Sequence, residues 1–272
     1  MYESLPIEKT MGRFLLKMNE QNEKAKLNIL VFTAHPDDHV SCSGTLLKLK
    51  KLGFEINECL FTKGESSGLF KDGQFSAGID PITLAEVRSK EFAAASKLFG
   101  TKEVYFLNQP NHGIQKSLEL YKTIVGIIRK VKPFVVFMHG ANDYNEDHTQ
   151  VYDSCLSALR MAANPQFLEL GQRFRVPIAL CFDGLFLSNA QVIVDVTDEQ
   201  DAKQKILDCY KSQTPKDSMG YKVDGAIATY RGYQRSVINS LGKSGQAAEG
   251  FSIPDKFPLA GDELIGLISK LN

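Results

Sequence analysis

A chain of 272 residues, 43% hydrophobic and 24% charged, has the composition of a soluble globular protein and enough length to bury a sizeable core. Basic and acidic residues balance at 32 each, which excludes both the footprint of a nucleic-acid binder and a polybasic membrane patch. No run of 18 apolar residues is present to span a bilayer.

Residues 1–26 read as a polar, charged lead-in without the apolar core of a secretory signal, and 27–272 as one domain. The near-continuous apolar run at 27–34 predicts a strand buried on both faces, as in a parallel sheet. Leu46, Leu47, Leu49 and Leu52 lie at helical spacing and predict a helix over 42–52, stopped by Gly53. A strand follows at 54–61, a helix at 84–98 closed by Gly100, a short strand at 104–107 and a helix at 118–131. Next come a strand at 134–138 and a helix at 151–163. Beyond these, 177–182 and 191–196 read as strands, 198–210 as a helix, and 214–258 as surface loops with short helices. The five cysteines (Cys42, Cys59, Cys155, Cys181, Cys209) are scattered and never form a CxxC pair. They therefore predict reduced thiols in a cytoplasmic setting rather than a disulfide framework or a four-cysteine zinc site. Strands alternating with helices predict an α/β fold, a parallel sheet with helices on both faces, followed by a loop-rich C-terminal portion. In such a sheet the site lies at the carboxyl ends of the strands, here just after Ala34, Phe61 and Met138 and near Leu107.

Two constellations fall at those ends. His35-Pro36-Asp37-Asp38-His39 packs two imidazoles and two carboxylates into five residues. A catalytic zinc takes nitrogen and oxygen donors, three from the protein and one from water, and a neighbouring carboxylate can take that water's proton. His35 and Asp38 would stand one turn apart if a helix begins here, and so reach one ion. A helix cap accounts for one aspartate, not for two beside two histidines. Asp143-Tyr144-Asn145-Glu146-Asp147-His148 follows the strand at 134–138. There His148 is the natural third ligand and Asp147 a group to orient an imidazole or a substrate; the alternative is an acidic turn opening a helix at Thr149. Asn111 and His112 stand at the right strand end for substrate contact, and His139, which ends a strand, is accounted for by packing.

The pattern resembles the PIG-L-type (LmbE-like) de-N-acetylases. Their signature A-H-P-D-D-E is matched by Ala34-His35-Pro36-Asp37-Asp38 with His39 in the last place, and a later block ending in D-H by Asp147-His148. Thr62-Lys63-Gly64-Glu65 is similar to the family's T-x-G-E, and Arg88-Ser89-Lys90-Glu91 with Leu98-Phe99-Gly100 to its R-x-x-E…L-G helix. Asp195, Lys205 and Tyr210-Lys211-Ser212-Gln213 are similar to its V-D-[IV]-T…K…SQ segment. Arg231-Gly232 and Ala248-Glu249-Gly250-Phe251 are similar to its R-G…A-E-x-F element. The ordered blocks run from about 27 to 251. The resemblance implies a Rossmann-like fold and a mononuclear zinc site, or another divalent metal, held by His35, Asp38 and His148. Asp37 would be the general base, Arg88 would line the substrate pocket and Glu65 would contact substrate; Asn111 and His112 lie where the family often has an Asp that contacts sugar hydroxyls, and a solvated loop residue is the alternative for His112. The implied reaction is hydrolysis of an N-acetyl group, as on an N-acetylglucosamine derivative, to acetate and a free amine. A homo-oligomer is also common in the family.

Two positions depart from the pattern. His39 replaces the usual Glu and reads as an outward residue or one behind the ligands. Asn145 stands where the family often has the first His of H-P-D-H; it can donate to an oxyanion but cannot act as a protonated acid. An amidase acting on a thiol-sugar conjugate or a non-sugar amide, and a catalytically impaired carbohydrate-binding relative, are the competing readings. A dinucleotide-binding dehydrogenase is excluded by His-Pro-Asp-Asp in place of a glycine-rich phosphate turn.

Overall fold

The first apolar run forms β1 (Asn28–Thr33), an interior strand in a sheet of seven. The structure is a computed structural model that describes residues 27–72, 74–239, 246–255, 257–258 and 261–272; the lead-in read at 1–26 lies outside the described residues. β1 pairs in parallel with β2 (Glu55–Leu60) on one side and with β6 (Val135–Met138) on the other. β5 (Glu103–Phe106) extends the sheet beyond β2, and β7 (Ile178–Phe182) beyond β6, both parallel. Outside the sheet, β3 (Leu69–Lys71) and β4 (Gln74–Ser76) form a separate antiparallel hairpin.

Alternation along β1 feeds two cores. Ile29 and Val31 face a cluster with Leu46 and Leu49 of α1 (Ser43–Lys51) and Phe92 and Phe99 of α2 (Pro81–Phe99). Leu30 and Phe32 face a cluster with Leu120 and Ile124 of α3 (Leu118–Val131) and Val151 and Leu159 of α4 (Glu146–Ala162). All four β1 side chains are fully buried, the reason the run is continuously apolar. Helix ends follow local chemistry. Asp80 caps α2 by accepting from Thr83 N (2.9 Å) ahead of Pro81, and Gly100 closes it with a left-handed φ of 64°.

The C-terminal portion differs from its reading. Region 214–258 contains a 21-residue helix, α6 (Met219–Asn239), and a strand, β9 (Ala248–Ser252), inside the main sheet. β9 runs antiparallel to both β7 and β8 (Val192–Asp195), so the sheet order is β5-β2-β1-β6-β7-β9-β8 and the sheet is mostly rather than wholly parallel. Its sequence, AEGFS, hides a strand because its charge is paid for at long range. Glu249 accepts from Gly44 N and Thr45 N at the start of α1 (2.8 Å each) and pairs with buried Lys203 (3.0 Å). α6 is fastened by a buried Arg231–Asp183 pair (2.8 Å), a contact no local periodicity announces. The helix read at 198–210 is a 3₁₀ turn (Thr197–Glu199) followed by α5 (Gln200–Leu207), which leaves Tyr210 beyond its end. α7 (Gly261–Leu271) and the β3–β4 hairpin were not anticipated from the pattern. Among the described residues no helix is long and apolar enough to cross a membrane, and all five cysteines are free.

Candidate metal and catalytic site

Parallel pairing brings the carboxyl ends of β1, β2, β5 and β6 to one edge, and the residues read as functional collect there. A helix does begin within the first group, but as a 3₁₀ turn that leaves His35 outside it. His35 lies in a bend, Asp37 precedes a 3₁₀ helix over Asp38–Cys42, and Asp38 folds back so that Oδ2 accepts from His35 N (2.6 Å). The second group gains a helix earlier than read. α4 begins at Glu146 rather than near Val151, capped by Asn145, whose Oδ1 accepts from Asp147 N (2.9 Å). Asp147 and His148 thereby sit in the first turn of α4, facing β1.

The two groups meet. His35 Nδ1 and His148 Nε2 are 3.1 Å apart, and His148 Nε2 lies 3.3 Å from Asp38 Oδ1. The ligating atoms of His35, Asp38 and His148 all fall within 4.8 Å of one another. The ring nitrogens pointing away from this centre are each tied to a carboxylate: His148 Nδ1 to Asp143 Oδ2 (2.8 Å) and His35 Nε2 to Asp147 Oδ2 (3.2 Å). Such backing fixes the tautomer and turns the other nitrogen toward a metal. The set therefore fits a divalent cation: two imidazoles and a carboxylate converge, with no donor assigned to the point they share. His139, Asp143 and His148 form a second such group. In it, however, His139 Nε2 already receives Ala34 N–H (3.1 Å), and its Nδ1 is buried without a partner.

Crowding of these groups shows in their protonation. For His148 burial works to lower the pKa, but the Asp38 and Asp143 carboxylates overcome it and raise it to about 10. The same contest, with Asp38 and Asp147 prevailing over burial, raises His35 to about 9. Burial and the neighbouring His148 instead push His139 down to about 4. Burial would raise the Asp38 carboxyl, but the surrounding imidazoles hold it well below the ordinary range.

Asp37, which directly precedes Asp38 in the chain, is held by Arg88, whose Nη2 donates to Oδ1 at 2.5 Å. Arg88 is 3% exposed, and Nη1 also donates to Gly64 O (3.3 Å) and Ser67 Oγ (3.2 Å). Rather than lining the pocket as expected, Arg88 stands behind Asp37. Gly64 has a left-handed φ of 66°, and a Cβ there would lie 1.9 Å from Arg88 Nη1, which explains the glycine of the T-x-G-E block. The Ser212-Gln213 block braces the same loop. Gln213 Nε2 donates to Gly68 O (2.9 Å), and Ser212 Oγ to Glu91 Oε2 (2.6 Å).

The remaining site residues lie on adjoining loops. Glu65 Oε1 accepts from Asn111 N (2.8 Å), while Glu65 Oε2 and Asn111 Oδ1 are buried without partners. His112 takes a left-handed φ of 58°, which aims its backbone N–H at Asp147 Oδ2 (2.7 Å); its side chain is exposed. His39 is fully buried, which excludes the outward reading. Asp143, to which no role is given above, backs His148 from five residues earlier, across the start of α4, and that spacing is the signal the sequence offers.

Residues 30–159 match the family profile PIG-L: GlcNAc-PI de-N-acetylase. A diacetylchitobiose deacetylase of Thermococcus kodakarensis is 26% identical over 213 residues, covering 76% of this chain and 77% of the relative. The N,N'-diacetylchitobiose deacetylase of Pyrococcus horikoshii, solved with its inhibitor MPG, superposes with a TM-score of 0.71 at 25% identity, over 93% of this chain and 94% of that one. A 4-carboxy-2-hydroxymuconate hydratase of Pseudomonas putida superposes with a TM-score of 0.72 at 21% identity, over 85% and 97%. This last likeness is one of fold alone, so the side chains at the strand ends, not the sheet, must decide the chemistry.

Proposed function

This chain belongs, through residues 30–159, to the PIG-L-type (LmbE-like) de-N-acetylases, and from that premise we propose that it is a zinc-dependent hydrolase removing the N-acetyl group from an amino sugar or sugar conjugate. The observation that carries this reading is the convergence of His35, Asp38 and His148, each imidazole backed by a carboxylate, with Asp37 alongside. Those three residues would hold the zinc, which would supply a Lewis acid to acidify water and polarise the acetyl carbonyl.

The chain's own residues do the rest. Arg88 fixes one oxygen of Asp37, leaving the other to take a proton from the attacking water. As the water oxygen bonds to the acetyl carbon, charge develops on the acetyl oxygen. Asn145 spends its Oδ1 on the helix cap and keeps its Nδ2 protons for that oxygen. The C–N bond then breaks, Asp37 returns its proton to the departing amine, and acetate and the free amino sugar leave. Asp143 and Asp147 hold the imidazoles in register. Glu65 Oε2 and Asn111 Oδ1 are buried acceptors without partners, which sugar hydroxyls would satisfy if substrate binding opens the loop. His112 contributes its backbone through Asp147 and leaves its imidazole at the rim.

The test is acetate release from N,N'-diacetylchitobiose, N-acetylglucosamine and an N-acetylglucosaminyl-inositol compound, before and after chelation and zinc return. Activity should vanish with chelation and return with zinc. Asp37→Asn should lower kcat by about 10²–10⁴-fold while zinc stays stoichiometric. Undiminished turnover by that variant refutes the assigned base. Stoichiometric zinc with no acetate from any substrate would make the chain a carbohydrate-binding relative instead.

A further inference from the structure

His39, at the position where the resembling family has Glu, belongs to a buried chain of hydrogen bonds that the mechanism above does not use. Its Nδ1 meets Glu58 Oε1 on β2 at 2.5 Å, and its Nε2 meets the Tyr210 hydroxyl at 2.5 Å. That hydroxyl lies 2.7 Å from the carbonyl oxygen of Pro36. His39 and Tyr210 are 0% exposed and Glu58 1%. The His39 ring is stacked on Phe92 (centroids 5.3 Å) and edged by Phe99 (4.8 Å), so it has no room to turn elsewhere.

Donor and acceptor counting gives the chain a direction. A carbonyl oxygen only accepts, so the one hydroxyl proton of Tyr210 goes to Pro36. The hydroxyl can then only accept from His39, and His39 Nε2 donates to it. Glu58, which also accepts from Thr101 Oγ1 (2.6 Å), takes the bond from Nδ1. The chain therefore runs from β2 through His39 and Tyr210 to the peptide bond joining Pro36 to Asp37. Arg88 holds the carboxylate of Asp37 from the far side, so the residue is pinned at its backbone and at its head. A glutamate at 39 has no proton to give Tyr210, so the departure from the family pattern is matched to the tyrosine.

We propose that His39 and Tyr210 are positioning residues that fix the Pro36–Asp37 peptide plane and through it the base over the metal centre. This rests on Asp37 acting as the base. Phenylalanine at 210 fills the same volume and lacks only the hydroxyl, so Tyr210→Phe isolates the hydrogen bond from packing. Because misplacement of a reacting group by an ångström can cost about 10²-fold, the freed peptide should lower kcat by about tenfold or more with KM unchanged and zinc still stoichiometric. A purely structural role would lower the melting temperature and leave kcat per zinc-loaded protein as in the wild type; that result overturns the proposal. Should Tyr210→Phe not fold, His39→Asn keeps a donor for Glu58 and loses the one for Tyr210. A reduced kcat at constant KM then supports the proposal, and an unchanged kcat overturns it. Asp37→Asn, run in parallel, separates the two failures. If it is inactive while Tyr210→Phe turns over normally, only the positioning role falls; if it stays active, the assignment of the base falls first.

Discussion

His35 and His39 stand in one pentapeptide, both buried and both facing carboxylates, yet their surroundings are opposites. Around His39 every polar atom is matched: Glu58 on one nitrogen, Tyr210 on the other, Pro36 beyond. Around His35 the matching stops halfway. Asp147 satisfies the outer nitrogen, while the inner one faces His148 Nε2 at 3.1 Å with the Asp38 carboxylate beside them. Two imidazole nitrogens pressed together are tolerable only if a proton or a cation sits between them. A closed network of this kind fixes shape, whereas an unclosed one, acceptors converging without a donor, marks a place for a positive ion. The contrast separates a structural histidine from a proposed ligand more sharply than burial does, since both are buried.

The contrast breaks most visibly on substitution. His148→Ala removes a third of the open set, and zinc content and acetate release should both be lost. His39→Ala should keep zinc stoichiometric, yet leave the buried Glu58 with the Thr101 bond but not the His39 one, a loss of roughly 1–3 kcal/mol in urea unfolding. Zinc lost from the His39 variant and retained in the His148 variant would invert the assignment of the two clusters.

Acidity sharpens the same comparison. In the metal-free chain the carboxylates raise His35 to about 9 and His148 to about 10, so near neutral pH the facing nitrogens hold a proton between them. Groups raised on folding contribute stability below their unfolded value, near 6.5, and lose it as pH climbs through 9 to 10. The metal-free chain should thus become less stable from neutral toward pH 10. Zinc must displace that proton, so its affinity should rise with pH over the same range, by roughly one log unit per pH unit. The closed cluster has its edge on the acid side. Burial would raise Glu58, but His39 holds it below its ordinary value, so its contribution is present above about 4.5 and lost as pH falls through the lowered value. Zinc titrations by calorimetry and unfolding curves across pH test both halves. A zinc affinity flat from pH 7 to 9 would contradict the protonated centre.

The sequence made the first half of this molecule readable because each element there stands on local signals: continuous apolar strands, helical leucine spacing, glycine stops. His35, Asp38 and His148 were legible for a related reason, since a parallel sheet delivers strand ends to one edge whatever the loops do. What escaped depends on distant partners. β9 is a strand only because β7 and β8 flank it and the N-terminus of α1 answers Glu249. Arg88 is spent on Asp37 through a bend whose shape Gly64 and Ser67 set, so its type pointed to a pocket and its contacts to a support. His39 offered no local sign of Glu58 or of Tyr210, which lies 171 residues further along the chain. Hydrogen-bond partners, unlike hydrophobic periodicity, leave no trace in the spacing of one chain.

Asn145 gives the smallest expected effect and divides a structural duty from a chemical one within a single side chain. Its Oδ1 caps α4 and so presents Asp147 and His148 to the centre, while its Nδ2 has no partner among the described residues. Serine caps a helix about as well as asparagine but carries no amide. Asn145→Ser should therefore leave stability within a few tenths of a kcal/mol and lower kcat by about tenfold. That is less than the loss of a sole oxyanion donor, because the proposed metal would share the developing charge. Asn145→Ala gives up both duties, adding a stability loss of about 1 kcal/mol to a similar fall in kcat. If serine restores kcat as fully as it restores stability, Asn145 acts only through the helix it starts, and the donor to the acetyl oxygen must be sought among backbone amides instead.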